Sequence, residues 1–328
     1  MLMYADDTVI LARSRRELIE KLNIFKWECK SIGLEVNESK SEVMVVGEKK
    51  KEQFIEGIEV KDSIKYLGVW MDKNGSLTKT VRERVEKCKR MRGFINYMVS
   101  GRKRKMELGR IIWKGVVIPA VVFGLAATGG DKVKMEELER EQRKFGRGML
   151  EVPRSTPSEF IDMEMGWSSQ RERIEKARLK VAKRMVERRG KARESMVKGW
   201  KEEGRWIKEV KENLRRNEIG EGEFEEMDWK EIEKRINKRR KKDWWEGVNK
   251  KTSLRWYGRW REKDQRMVEW ESSKEDRIQK RYWSGTMEYR IGKEKNRCTC
   301  IRGRKEEEVE HLVKRCSRTE EWRWGWEI

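Results

Sequence analysis

Asp6 and Asp7 stand side by side between two short apolar runs, Met1 to Tyr4 and Thr8 to Ala12. That pattern reads as a tight β-hairpin with two carboxylates at its turn. Phosphoryl transfer assisted by two Mg²⁺ ions needs such groups held rigidly, because Mg²⁺ takes close octahedral oxygen ligands and must engage both the attacking hydroxyl and the leaving phosphate. Two adjacent acids taken alone are equally at home in an ordinary solvated turn, since Asp is a common turn residue.

A second constellation lies near the C-terminus, where Cys298, Cys300, His311 and Cys316 gather three of the five cysteines and the single histidine within 19 residues. Thiolates and an imidazole in that proximity suit one tetrahedral Zn²⁺. The four residues between His311 and Cys316 match the second half of a zinc knuckle, whereas Cys298 and Cys300 have one residue between them where a knuckle normally has two. Unpaired thiols are the alternative. Cys29 and Cys88, remote from that cluster, read as core cysteines. A third feature is the basic, tryptophan-rich span from Trp200 to Trp283, with clusters such as Lys238-Arg239-Arg240-Lys241-Lys242 ahead of Trp244-Trp245. Lysine and arginine can neutralise phosphates while indoles stack on unpaired bases. Tryptophan can equally fill thin cores between charged helices.

The elements that must position these groups change character along the chain. After the hairpin, Ser14 stands three residues before Glu17, a capping box, and opens a helix with Leu18, Ile19, Leu22 and Phe25 on one face and a stop at Gly33. Leu34 to Val36, Glu42 to Val46 and Ile64 to Met71 follow as strand candidates, with Asn37, Ser39 and Gly57 near the turns. From about Ser76 the periodicity is helical, as in Met135, Leu138, Phe145 and Met149. Val152-Pro153 and Thr156-Pro157 mark the first firm break, and Arg171 to Arg281 is a series of basic helices. The fold class is therefore α+β.

Composition limits what such a chain can be. Of 328 residues 36% are hydrophobic and 43% charged, so cores must be small and much helix solvated. The net charge is +22, and it is unevenly placed. Residues 1–75 hold 13 basic and 14 acidic side chains, leaving +23 on the remainder, as expected of a surface that meets phosphate backbone. The longest stretch without a charge, Gly115 to Gly130, is shorter than a membrane span and contains Pro119, so it reads as a buried helix. The N-terminus lacks the pattern of a signal peptide, which implies an intracellular, reducing location and no disulfides.

The run Tyr4-Ala5-Asp6-Asp7-Thr8-Val9-Ile10-Leu11, then a helix, then Gly33-Leu34-Glu35-Val36-Asn37 and Lys40-Ser41-Glu42-Val43-Met44, resembles the end of a reverse-transcriptase palm. More narrowly it resembles the enzymes of non-LTR (LINE-type) retrotransposons. Tyr66-Leu67-Gly68, followed by Val69 and Asp72, is similar to that family's primer-grip hairpin. Val116 to Leu125, Met135 to Leu150 and Val152 to Pro157 with Gly166-Trp167 resemble the thumb and the region beyond it, and LINE-type proteins carry a Cys-Cys-His-Cys element after that.

The resemblance implies an RNA-directed DNA polymerase, a nucleotidyltransferase acting on an RNA template and a DNA primer with Mg²⁺, and no membrane. It implies that Asp6 is the principal metal ligand of the motif and Asp7 a less direct one, with Tyr4 and Ala5 beneath the primer end and incoming nucleotide. Lys40 would stand near the triphosphate as a clamp or proton donor, although a lysine after a turn is also plainly solvated. Tyr66, Leu67 and Gly68 would position the primer, or Tyr66 and Leu67 would simply fill the core.

The expected organisation is a partial palm over 1–75, an antiparallel sheet with one helix; a thumb-like bundle over 76–150; a basic, tryptophan-rich helical region over 151–290; and a zinc-knuckle-like end over 291–328. In the family another strand supplies a further essential Asp, and fingers segments hold the nucleotide. Neither is found upstream of Tyr4, so the expectation is a truncated, catalytically incomplete chain that still binds nucleic acid.

Overall fold

Two of the expected elements appear where the local chemistry places them. In the computed structural model, which describes residues 1–261 apart from 48–52, 77, 103, 128–131, 189, 255, 256, 259 and 260, strands β1 (Leu2–Tyr4) and β2 (Asp7–Val9) pair antiparallel with Tyr4 opposite Asp7. Helix α1 (Arg15–Ser31) is capped by Ser14, whose hydroxyl accepts from the Glu17 amide at 3.2 Å. The box is only half closed, because the Glu17 carboxylate accepts from the Arg13 amide instead of that of Ser14. At the other end Gly33 takes the left-handed conformation and the Leu34 amide reaches back to the Cys29 carbonyl at 2.9 Å.

Leu34 to Val36 differs from expectation: it pairs with no strand among the described residues. The cap at Gly33 is followed at once by Asn37, whose side chain accepts from the Lys40 amide and starts a 3-10 turn over Glu38–Lys40. Strand β3 is confined to Glu42–Val43 and runs parallel to β5 (Ile58–Val60), which also pairs antiparallel with β4 (Phe54–Ile55). The last hairpin, β6 (Ser63–Tyr66) and β7 (Val69–Asp72), divides the expected Ile64–Met71 run at Leu67-Gly68. Both turn residues have positive φ, 47° and 77°, as a two-residue hairpin loop of mirror-image type demands. The chain is α+β, its described strands falling into three small sheets.

Beyond Asp72 the described elements are helices joined by turns and loops. Helix α2 (Thr78–Met98) packs along α5 (Lys132–Leu150), and α3 (Lys105–Ile112) passes through a π-helical turn, Trp113–Val117, into α4 (Ile118–Val122). The wide turn directly precedes Pro119, which has no amide to donate and would crowd the carbonyl four residues back in a regular helix. Leu138, Phe145 and Met149 of the expected stripe are buried, and the Trp113 ring stacks on Phe145 with centroids 4.2 Å apart. Gly146 lets α6 (Ser158–Glu164) sit close, since a Cβ there would lie 2.5 Å from Ile161 Cγ2. Lys105–Ala127 is long and apolar enough by length and composition to cross a membrane; 33% of that window is buried, including Trp113, Val117 and Val121.

Helix α7 (Gln170–Glu187) opens with a complete capping box between Ser169 and Glu172. It gives Ile174 to the core of α2 to α6 and Leu179 and Ala182 to a second core. That second core is completed by α8 (Lys191–Glu202), α9 (Arg205–Arg216), α10 (Glu221–Glu226) and α11 (Trp229–Asn249). Cys88 is buried, as expected, and burial pushes its thiol up to about 12, while Cys29 is half-buried. Cys298, Cys300, His311 and Cys316, the tryptophans from Trp270 onward and the whole 291–328 segment lie outside the described residues.

One interior carboxyl ties stability to pH. The Trp167 indole donates to Asp162 Oδ1 at 2.9 Å, and burial pushes Asp162 up to about 7 despite the pull of Arg143. A folded-state pKa above the unfolded value means that the native chain holds a proton the unfolded chain has already lost between about pH 4 and 7. Stability from this group is therefore present at low pH and declines as pH rises through that window, by on the order of 1 kcal/mol per pH unit. Asp162→Asn should flatten the difference between urea midpoints measured at pH 5 and pH 7; an unchanged difference would exclude Asp162 as its source.

Candidate active site

The hairpin tip is built by a two-residue loop. Ala5 carries φ +51°, a conformation that costs a non-glycine residue roughly 1 kcal/mol or more. It turns the chain so that Asp6 sits at the apex and Asp7 begins the return strand opposite Tyr4. Both carboxylates are exposed, and neither makes a hydrogen bond or ion pair among the described residues. Two unengaged carboxylates on a paired turn fit part of a Mg²⁺ site. No group of three or more potential metal-ligating side chains occurs among the described residues, so the pair is joined there by no third ligand. Tyr4 is 65% exposed, and Leu2, Met3 and Trp27 of α1 are also open to solvent.

The other expected site residues stand on different elements. Lys40 ends the 3-10 turn after α1, exposed, and among the described residues only its backbone amide is engaged, by Asn37. Tyr66, Leu67 and Gly68 form the β6–β7 turn, in a sheet separate from that of Asp6 and Asp7. That turn is fastened to the helical region by residues the sequence did not single out. Arg84 of α2 donates to the Gly68 carbonyl at 2.9 Å, Thr80 Oγ1 exchanges hydrogen bonds with both backbone groups of Trp70, and the Trp70 indole donates to Glu83 at 2.8 Å. The Trp70 hydrogen bond, with Lys65 behind it, holds the Glu83 carboxyl below its usual range. The helical spacing of Thr80, Glu83 and Arg84 is the signal that could have found them, since three polar residues on one helix turn mark a facing partner.

The basic helices meet around the Gly166–Ser168 loop. Lys114 Nζ donates to the Gly166 carbonyl at 2.5 Å, Arg173 to the Ser168 carbonyl at 3.2 Å and Arg240 to Ser168 Oγ at 3.3 Å. Burial, and then the positive charges of Arg110, Arg173 and Arg240, hold the Lys114 ammonium below its usual range. Cations that depress one another in this way favour an added anion. The indoles here serve the interior: Trp200, Trp206 and Trp244 are half-buried and donate to Glu221, the Ala126 carbonyl and the Glu159 carbonyl.

Comparison with known proteins bears on the first part of this arrangement. Residues 1–71 match the family described as reverse transcriptase (RNA-dependent DNA polymerase). The match takes in the Asp6–Asp7 hairpin, Lys40 and the Tyr66–Gly68 turn, and the helical remainder lies outside it. No curated protein and no solved structure matches the chain.

Proposed function

We propose that residues 1–71, similar to the reverse-transcriptase family, are part of the palm of an RNA-directed DNA polymerase of the non-LTR (LINE-type) class, and that the helices after them hold its RNA template and DNA primer. The observation that carries this reading is the placement of Asp6 and Asp7 at a two-residue hairpin tip within the matching segment. Asp6 and Asp7 would hold Mg²⁺, which in such enzymes activates the primer hydroxyl and neutralises the leaving pyrophosphate. Lys40 would face the triphosphate, Tyr4 and Ala5 would underlie the nucleotide, and the Tyr66–Gly68 turn, anchored by Arg84, would bear on the primer backbone. Knuckle-like zinc binding by Cys298, Cys300, His311 and Cys316 belongs to the same reading.

Catalysis by this chain alone is expected to be slight. Two carboxylates with no third ligand among the described residues bind Mg²⁺ weakly, and the exposed apolar side chains of β1 and α1 suit a sheet that further polypeptide would cover. With an RNA template, a DNA primer, deoxynucleotides and Mg²⁺, the purified chain should show no extension above a protein-free control while still retaining the RNA on a filter. Retention should weaken steeply as salt rises. Extension that disappears in Asp6→Ala would show the chain to be sufficient, and RNA that passes through the filter at low salt would refute the nucleic-acid reading.

A further inference from the structure

Between α5, the start of α7 and α9 lies a cavity of about 970 Å³, at the upper end of the roughly 300–1,000 Å³ typical of small-molecule sites. Its charges do not cancel. On its wall Glu175 is tied to Arg216 at 2.7 Å, Glu209 to Arg178 at 2.7 Å, Glu212 to Arg216 at 3.3 Å and Glu203 to Lys211 at 3.6 Å. The side chains of Arg140 on α5 and of Arg205 and Lys208 on α9 make no hydrogen bond or ion pair among the described residues, and Arg143 makes none either, although its charge acts on Asp162 and Glu139. Arg147, beside them, donates only to the Thr156 carbonyl.

The rest of the lining narrows the ligand. Val81, Leu125, Met135 and Ile174 give the cavity an apolar side. Asn213 is 3% exposed, yet its Nδ2 has no acceptor, and buried Glu139 keeps one carboxyl oxygen, Oε2, without a partner. A buried amide without a partner is costly, and a ligand group that pairs with it would recover that cost. Arg140, Arg205 and Lys208, unpaired among the described residues, outnumber the lining carboxylate Glu136, and together with the apolar side chains and the spare hydrogen-bonding groups they suit an amphipathic anion with a flat polar-edged ring.

We propose that this cavity binds a nucleoside phosphate, with its phosphate between Arg140 and Arg143 of α5 and Arg205 and Lys208 of α9 and its base on the apolar side against Asn213 and Glu139. Burial raises the Glu139 carboxyl above its usual range, which favours the protonated form that can donate to a base. The inference goes beyond the polymerase reading, because none of the lining residues belongs to the segment containing Asp6 and Asp7. The same chemistry is offered by a free nucleotide and by the phosphorylated end of a strand.

Calorimetric titration of the full chain with 5′-AMP, adenosine, inorganic phosphate and a 5′-phosphorylated trinucleotide tests it. 5′-AMP should bind at least about ten-fold more tightly than adenosine or phosphate alone. Combined Arg140→Ala, Arg205→Ala and Lys208→Ala should weaken it by about ten-fold or more, as should the single reversal Lys208→Glu if the triple variant does not fold. Removing the same charge elsewhere, by Arg15→Ala, Arg16→Ala and Lys30→Ala on α1, should leave affinity within about two-fold. A trinucleotide that binds more tightly than 5′-AMP assigns the site to a strand end, and the reverse order assigns it to a free nucleotide. No saturable binding of either, or equal losses in the two charge-removal sets, overturns the proposal.

Discussion

Glu164→Ala should lower the free energy of unfolding by about 3–5 kcal/mol, the usual consequence of removing one partner from a buried ion pair. Glu164 is fully buried at the end of α6, where its Oε1 accepts from the Tyr257 hydroxyl at 2.6 Å and pairs with the Arg261 guanidinium, itself 1% exposed. Alanine leaves that guanidinium in the interior without its carboxylate and takes from Tyr257 a principal acceptor. The effect is distant in sequence, because it joins α6 to the segment after α11. Guanidinium denaturation followed by circular dichroism should show the midpoint falling at constant slope. Glu164→Gln, which keeps an acceptor but not the charge, should fall between wild type and alanine. A Glu164→Ala midpoint within about 0.5 kcal/mol of wild type would mean that the cluster carries little of the stability.

Trp113→Ala should cost a similar amount, about 3–5 kcal/mol, for a different reason. The indole fills the junction of the π turn with α5, stacked on Phe145 and 6.3 Å from the Trp167 ring centroid, and no neighbouring backbone can close so large a gap. Its Nε1 is buried without an acceptor. Trp113→Phe therefore provides the sharper comparison: it keeps the stack on Phe145 and deletes the unpaired donor, so it should lose far less than alanine. Equal losses in the two variants would show that the indole edge, and not the stack, holds this junction.

What could be read from the residues depended on whether the cause was local. The Ser14 cap, the stop at Gly33, the Leu138–Phe145–Met149 stripe and the break at Pro153 and Pro157 each rest on a few neighbouring residues, and each is found. Gly57 was read as lying near a turn, and it does, but the strands on either side of it were harder. A glutamate at φ +50° carries no mark of the hairpin it starts, so β4 and β5 were not foreseen. Leu34 to Val36 had strand-forming residues but no partner, and pairing is decided across the fold.

The same distinction runs through the site. The acidic pair was legible because both members sit on one turn. The fastening of Gly68 by Arg84, the meeting of Lys114, Arg173 and Arg240, and the cavity beside Asn213 depend on residues far apart along the chain. Gln142 illustrates the limit well. It stands between Leu138 and Phe145 of the apolar stripe and is buried there because it donates to the Ser168 carbonyl and accepts from Gln170.

Helix α7 sends Ile174 into one core and Leu179 with Ala182 into the other. A rod shared in this way denies the two halves separate histories. A lineage that lost or exchanged one half would leave the other with an orphaned apolar flank, so substitutions on either side are screened against both. The helical portion is thereby constrained as a block.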